Sequence, residues 1–174
     1  RVVGGAWSGR TEAAGDLDVL QATDGGQLDQ LILVGAGDLN RLTGGDAWDS
    51  HVAIAGDVNV VDLDVVMVSS FGAGRDFDTF TADEATDTSV MAGYFPGADA
   101  LVGTDDDVLG TGSIGSVAIA GLWERLNVTA GVGVGEDGQY GTNDDTALEG
   151  VSEVDEFSGG AAPVTGATTT IIGS

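Results

Sequence analysis

The residues in this sequence best suited to chemistry lie in acidic stretches rich in oxygen ligands. Each stretch combines Asp carboxylates, a Thr hydroxyl and Gly residues within about a dozen positions, and calcium takes six to eight such oxygens at about 2.3–2.6 Å. Two copies, at residues 97–107 and 135–145, show the pattern most fully. The predicted calcium ligands are Asp99, Asp105, Asp106 and Asp107 in the first copy and Asp137, Asn143, Asp144 and Asp145 in the second.

A more degenerate copy lies upstream, at residues 74–84. It keeps the order of Gly, Asp, Thr and a final acidic pair, so it predicts Asp76, Asp83 and Glu84 as further calcium ligands. Adjacent carboxylates such as those at 105–107 repel one another, and a bound cation lets them lie together. Solvated turns are the alternative, because Asp, Asn and Gly also favour turns. The repetition of the pattern favours the metal.

The elements that must position these stretches are short β-strands. Helical periodicity is nearly absent, and the one segment able to wind, Gly121–Leu126, lies between β-branched runs. Apolar runs bounded by Gly or Asp are typical of strands. The predicted strands are 31–34, 52–54, 58–68, 117–119, 127–129 and 168–172.

The spacing of these runs predicts a repeat fold. Apolar residues that follow a Gly-Asp or Gly-Leu turn recur at Leu17, Leu39, Val58 and Trp123. A unit of about 20 residues is the size of one coil of a parallel β-solenoid, in which successive coils stack about 4.8 Å apart. We therefore expect an all-β, single-domain chain over residues 1–174, built of about eight coils. A β-sandwich or jelly roll is the alternative, because it also has many short strands.

Two longer repeats support the coil prediction. The segment Val90–Gly93 returns as Val128–Gly131, and the acidic loops that follow return at the same offset. The segment Val52–Gly56 returns as Val117–Gly121, which predicts that these two are the same strand in different repeats. Strand and loop are therefore expected to repeat as one unit.

Three of these segments together carry a resemblance to a known group of proteins. Residues 112–121, 126–131 and 135–145 resemble the repeats of large bacterial exported β-helix proteins, which pair an Ile-Gly-x-Val strand with an Asp-Gly-x-x-Gly-Thr-x-Asp-Asp loop. The resemblance is good over residues 90–150 and fainter over 30–90, and Ala100 departs from it where the loop usually has Gly. It implies an extracellular, right-handed β-helix and carries no defined activity.

The charge limits the possible partners. There are 29 acidic and five basic residues, giving a net charge of −24, and there is no Lys. Such a chain repels polyanions, so nucleic acid and acidic lipid surfaces are poor candidates as direct partners. Adaptation to high salt is the alternative explanation of the acidity. No apolar run approaches the roughly 20 residues that cross a bilayer, and Arg1 in place of Met predicts a removed leader or a longer parent chain.

The sequence does not predict an enzyme. His51 is the single histidine, and its neighbours Asp49 and Ser50 are adjacent in sequence, where side chains diverge. Polysaccharide cleavage by paired carboxylates is a less favoured alternative, because sugar-holding Arg, Lys and aromatic residues are few. The three tryptophans are expected to plug coil ends or fill the core rather than to form a sugar-stacking platform; they are Trp7, Trp48 and Trp123.

These observations predict a structural function. We expect an extracellular or cell-surface subunit, stabilised by several calcium ions, that forms a filament or surface layer with copies of itself through strand edges. The apolar strands at 1–3 and 168–172 are suited to such pairing. The alternative is a calcium-dependent adhesin or carbohydrate-binding module.

Overall fold

The computed structural model describes residues 2–23, 25–101, 104–133, 146–147, 154–159 and 169–172. All regular elements in these ranges are β-strands. They are β1 (Val2–Gly4), β2 (Trp7–Ala13), β3 (Leu20–Ala22), β4 (Leu28–Gly35), β5 (Leu39–Thr43), β6 (Ala47–Trp48), β7 (His51–Ile54), β8 (Val58–Met67), β9 (Ser70–Ala73), β10 (Phe77–Ala92), β11 (Tyr94–Phe95), β12 (Val108–Leu109), β13 (Ile114–Ile119), β14 (Trp123–Ala130), β15 (Val132–Gly133), β16 (Thr146–Ala147), β17 (Val154–Gly159) and β18 (Thr169–Ile172).

The strands stack in parallel into two long faces around one interior. Face 1 is the stack of β1, β3, β5, the first halves of β8 and β10, β13 and β17. Face 2 is the stack of β2, β4, β7, β9, the second half of β10, β14 and β18. A short corner segment joins the faces, at residues 28–29, 47–48, 65–67, 84–86 and 123–124. The predicted parallel β-solenoid is therefore confirmed, and the sandwich alternative, which needs antiparallel sheets, is wrong.

The coil step in the middle of the stack is short and constant. On face 1, Val58 pairs with Leu39 and with Phe77. On face 2, His51 pairs with Ser70. Hydrogen bonds between equivalent positions of these coils join residues that are 19 apart in sequence. The unit length expected from the sequence is therefore correct for this part of the chain.

Later steps are about twice as long. Phe77 pairs directly with Ile114 on face 1, and Val90 pairs with Val128 on face 2; the cross-coil ion pair in this step joins residues 38 apart. The repeat of Val90–Gly93 at Val128–Gly131 is therefore one coil step that contains a long loop. Within the described residues, the stack has about five complete coils, with a further strand level at each end, which is fewer than the eight or so expected.

A second predicted equivalence is also wrong. Val52–Gly56 begins on face 2, where Val52 pairs with Phe71. Val117–Gly121 begins on face 1, where Val117 pairs with Phe80. Both segments place Val and Ile in the interior cluster, and this shared local requirement produced the same residue types at different places in the coil.

The column of apolar residues after the Gly-Asp turn is partly as predicted. Leu17, Leu39 and Val58 do stack on one another. The column continues through Phe77 and Ile114 instead of Trp123, which lies in the corner segment beside Ala85.

The interior is filled from both faces. Inward positions on face 1 carry Leu42, Val61 and Phe80, and those on face 2 carry Leu33 and Phe71; all are buried. Phe71 and Phe80 meet across the interior with ring centroids 5.2 Å apart. Tilted aromatic pairs of this kind add about 0.5–1.5 kcal/mol beyond the area they bury, so this contact helps to hold the two faces together.

One bend of each coil is made by a residue with positive φ. The five stacked residues, with φ between 46° and 52°, are Gln30, Asp49, Val68, Asp87 and Arg125. In three coils the next residue is a buried hydroxyl, namely Ser50, Ser69 or Thr88. The Ser69 hydroxyl donates to the Met67 carbonyl at 2.8 Å and accepts the Ser50 N–H at 3.1 Å. The hydroxyls therefore satisfy backbone groups that the bend removes from the strand ladder.

The long step after β10 contains residues 93–112, which we call the excursion loop. Its ends pair as the antiparallel strands β11 and β12. The loop lies against the outer side of face 2, where a Cβ on Gly72 would come 2.7 Å from Pro96. Arg10 of β2 donates to the Ala98 carbonyl at 2.5 Å. Tyr94 and Ala100 are buried although they lie outside the interior cluster, so the loop packs on the coils.

The one segment that could form a helix according to its sequence, Gly121–Leu126, contains no helix, and Trp123–Ala130 forms the strand β14. Among the described residues there is no helix of the length and apolarity needed to cross a membrane.

Candidate functional site

A row of aspartates lines the turn that leads into face 1. We call Asp16, Asp38, Asp57 and Asp76 the aspartate ladder. The Oδ1 atom of each accepts the backbone N–H of the equivalent residue in the next coil, at 3.1, 3.0 and 3.2 Å within the ladder. The last bond runs from the Ser113 N–H to Asp76, at 2.9 Å. Carboxylates that accept backbone N–H groups form strong, charge-assisted bonds, so the stack uses negative charge to connect its coils.

Arg75 neutralises part of the ladder. Its Nη2 atom lies 2.6 Å from Asp38 Oδ1 and 3.0 Å from Asp57 Oδ2. The pKa of Asp38 is held below its ordinary value, first by the Asp57 N–H and then by Arg75. The carboxylate group therefore stays ionised where stacking would otherwise favour its neutral form.

Glycine precedes three of the four ladder aspartates, and Arg75 precedes Asp76. At two of these glycines the carboxylate of the preceding coil occupies the space of a side chain. A Cβ on Gly56 would lie 2.0 Å from Asp38 Oδ1, and a Cβ on Gly37 would lie 2.3 Å from Asp16 Oδ1. Gly15 precedes Asp16, the first residue of the ladder, and a Cβ on Gly15 would meet nothing within 4 Å. The Gly-Asp turn of the sequence is therefore a packing requirement at Gly37 and Gly56.

The structure does not bring the acidic residues of 74–84 together. Asp76 belongs to the ladder, whereas Asp83 and Glu84 are exposed on β10. Seven residues of extended strand separate Asp76 from Asp83, which is about 23 Å at 3.3 Å per residue. These residues therefore form a turn and a strand in place of the expected loop, and calcium binding by Asp76, Asp83 and Glu84 stays a prediction.

The excursion loop does gather its carboxylates. Asp106 Oδ2 accepts the Ala98 N–H at 2.5 Å, and Asp106 Oδ1 accepts the Thr104 hydroxyl at 2.8 Å. These bonds, with that of Thr104 as the largest effect, lower the pKa of Asp106. Asp107 accepts the Thr104 N–H at 2.9 Å and the hydroxyl of Tyr94. Asp99 accepts the Leu101 N–H at 2.8 Å.

This arrangement bears on the predicted calcium sites. Three of the four carboxylates in the loop bind N–H and O–H groups of the loop itself, and Asp105 is exposed. Within the described ranges, no group of three or more His, Cys, Asp or Glu side chains is arranged to hold a metal ion. The donors are of the type that calcium prefers, but this geometry does not present them as one cage. The residues of the other copy lie outside the described residues; they are Asp137, Asn143, Asp144 and Asp145.

His51 lies between Ser70 and Asp49, although Ser70 is distant from it in sequence. Its Nδ1 atom is 2.8 Å from Ser70 Oγ, and its Nε2 atom is 3.7 Å from Asp49 Oδ1. Ser70 is one coil away and only 6% exposed, so its hydroxyl is largely buried beside the His51 ring. This row of Ser, His and Asp is a cross-coil contact on face 2. Sequence reasoning missed Ser70, and the signal that finds it is the coil step, since His51 and Ser70 are 19 apart in sequence.

The three tryptophans do not form one platform. Trp7 and Trp123 pack against the interior cluster, in the column that also contains Ala47 and Ala85. Trp48 points outwards and is 50% exposed. The prediction that tryptophans fill or close the core is therefore correct for two of the three.

Comparison with known proteins adds nothing to this geometry. No protein-family profile, curated protein or solved structure matches the chain. The fold and its surface define the chain as an acidic parallel β-solenoid, and any function must be argued from its own residues.

The ladder predicts opposite effects for the same substitution at two equivalent glycines. Gly56→Ala places a methyl group against Asp38 and should destabilise the fold by about 1–3 kcal/mol, as overpacking does. Gly15→Ala meets open space and should be neutral or stabilise the fold by about 0.4–1 kcal/mol through the unfolded chain. Urea unfolding of both variants measures the difference. Equal effects at the two positions would contradict the ladder geometry.

The lowered pKa of Asp38 predicts a pH-dependent contribution to stability. A carboxylate whose folded-state pKa is depressed stabilises the protein above its ordinary pKa of 3.8, and this contribution disappears as the pH falls through the folded value. Asp38→Asn should therefore be less stable than the wild type at pH 7, and the gap should narrow below about pH 4. Asp64→Asn, at an exposed carboxylate outside the ladder, is the control. Thermal melts across pH that show a constant gap would argue against this role of Asp38.

Proposed function

We propose that this chain is an extracellular structural protein, a subunit of a filament or surface layer that assembles with copies of itself through strand edges. The supporting observation is the state of the two ends of the stack. Among the described residues, β1 and β2 at one end pair only with β3 and β4, and β17 and β18 at the other end pair only with β13 and β14. Edge strands present unpaired N–H and C=O groups, which pair readily with another chain.

Face 1 offers the more regular contact. Its pairings form one continuous column from Val2 to Phe157. A second copy stacked in the same register would place its β1 beside β17 of the first, with Val2 next to Phe157 and Gly4 next to Gly159. On face 2, β2 has a bulge between Ser8 and Gly9 and an exposed Arg10–Glu12 ion pair. Bulges and charges limit edge pairing, so we assign the contact to face 1.

The proposed location rests on the sequence resemblance, and the proposed ion requirement rests on the charge. The resemblance to exported β-helix repeats supports an extracellular setting, where calcium is abundant. Copies that each carry −24 charges repel one another, and salt or divalent cations reduce that repulsion. Calcium binding by the acidic loops therefore belongs to the proposal as the condition that favours assembly.

Electron microscopy of the purified protein tests the assembly. With calcium present, we expect end-to-end polymers of fixed width, because heterologous contacts between the two ends of the stack do not close. Val3 is 46% exposed on β1, and Val3→Lys should shorten or abolish the polymers, since Lys on an edge strand opposes pairing.

The matched control is Val108→Lys, which adds the same charge at a valine 58% exposed in the excursion loop. It should leave polymer length unchanged in micrographs and in sedimentation. A wild-type protein that stays monomeric under these conditions overturns the proposed assembly. If the two lysine variants have equal effects, β1 does not form the contact between copies.

Calcium dependence has its own test. Chelator should lower the thermal midpoint, because an ion present at a thousandfold above its dissociation constant adds about 4 kcal/mol per site. The shift should be reduced by Asp105→Asn and by the pair Asp144→Asn and Asp145→Asn. Asp64→Asn is the control, because Asp64 is exposed on β8 and lies outside all the predicted calcium loops. A thermal midpoint that changes with neither calcium nor chelator counts against calcium binding.

A further inference from the structure

A small cleft lies on the outer side of the corner segment, beside the exposed Trp48. It has a volume of about 290 Å³ and is lined by Gln27, Leu28, Asp29, Asp46 and Trp48. Trp48 is 50% exposed, whereas the neighbouring inward residue Ala47 is fully buried. The corner segment therefore does not need an indole at this position for its own packing.

The register explains how these side chains come together. Asp29 pairs with Trp48 across one coil step, so their outward side chains are neighbours about 4.8 Å apart along the stack. Asp46 lies two residues before Trp48, just before β6, and lines the same cleft. Gln27 donates from Nε2 to Asp46 Oδ2 at 3.2 Å. Two carboxylates, one amide and one indole therefore lie together on the outer side of the parallel stack.

The geometry points to a binding subsite for one ring of a neutral sugar. The apolar C–H face of a pyranose would stack on the Trp48 indole, which offers a large apolar surface. The ring hydroxyls would donate to the carboxylates of Asp29 and Asp46, and hydrogen bonds to charged acceptors are roughly twice as strong as neutral ones. The cleft is slightly smaller than pockets for drug-sized ligands, which occupy about 300–1,000 Å³, and this favours a single ring unit of a chain.

The charge argues against acidic ligands. Phosphorylated or acidic sugars would meet two carboxylates on a surface of net charge −24. An organic cation would be attracted by the two carboxylates and by the face of Trp48, and loss of its binding at high salt distinguishes it from a neutral sugar. A neutral polyol uses both the carboxylates and the indole. The inference is independent of the proposed assembly, because the cleft lies on the side of the stack and not at its ends.

Calorimetric titration with defined probes tests the subsite. The probes are neutral hexasaccharides of β-1,4-linked glucose, xylose and mannose and of α-1,4-linked glucose, with hexagalacturonate as the acidic sugar and spermidine as the cation. We expect at least one neutral hexasaccharide to bind with an affinity that does not change with salt. Trp48→Ala should weaken that binding at least tenfold, and Trp48→Phe should retain most of it. Asp46→Asn should weaken it less than Trp48→Ala does.

The control variant is Leu122→Ala, at a residue 52% exposed next to the corner segment, which should bind as the wild type does. Circular dichroism and a thermal melt confirm that each variant is folded. If spermidine is the only probe that binds, and its binding is lost at high salt, the cleft is a cation site and the inference is overturned. Failure of all four neutral hexasaccharides to bind, or equal binding by wild type and Trp48→Ala, also overturns it. If the protein is monomeric and still binds a neutral hexasaccharide, the proposed assembly is refuted and the inference of a sugar subsite stands.

Discussion

The constraint on which the whole structure depends is the parallel register, which places each residue next to its counterpart in the adjacent coil about 4.8 Å away. A side chain that suits one coil must therefore also suit its own repetition. Apolar positions satisfy this condition by forming columns such as Leu42, Val61 and Phe80. Hydroxyls satisfy it by bonding the backbone at the left-handed bend. Carboxylates are the difficult case, because their repetition brings like charges together.

The sequence is sufficient to predict the class of fold and much of its periodicity. Short runs between Gly and Asp predicted β4, β7, β8, β13, β14 and β18 in part or close to their observed bounds. It did not predict β10, the longest strand, because its outward positions carry Asp, Glu and Thr and were assigned to an acidic loop. In a parallel strand with one face in water, only the inward positions must be apolar, and Phe77, Phe80 and Ala85 meet that requirement.

Register was harder to predict than strand identity. The longer coil step is twice the shorter one, 38 positions against 19, so a coil with a long loop has the same spacing as two plain coils. Only the pairing of Val90 with Val128 separates these cases. The candidate site depended on the same information: the turn aspartates could be read as turn formers from their neighbours, but their bonds to the next coil require the register. The contact of His51 with Ser70 was missed for the same reason.

The chain manages stacked carboxylates in two different ways, and the difference follows from what each column offers them. In the ladder, consecutive coils all carry Asp, and each charge is compensated by a backbone N–H from the next coil, with Arg75 added at Asp38 and Asp57. In the column of left-handed residues, successive positions are Asp49, Val68, Asp87 and Arg125, so that Asp49 and Asp87 are two levels apart. Asp87 is instead paired with Arg125, which lowers the pKa of Asp87.

The excursion loop extends this argument beyond the stack. In this loop the adjacent aspartates Asp106 and Asp107 accept N–H and O–H groups of the loop itself. Arg75 and Arg125, two of the five basic residues, form ion pairs with carboxylates of the stacked columns. Acidic charge is therefore tolerated wherever backbone donors or spacing compensate it, and the unbalanced remainder is what a surrounding solution of cations must screen.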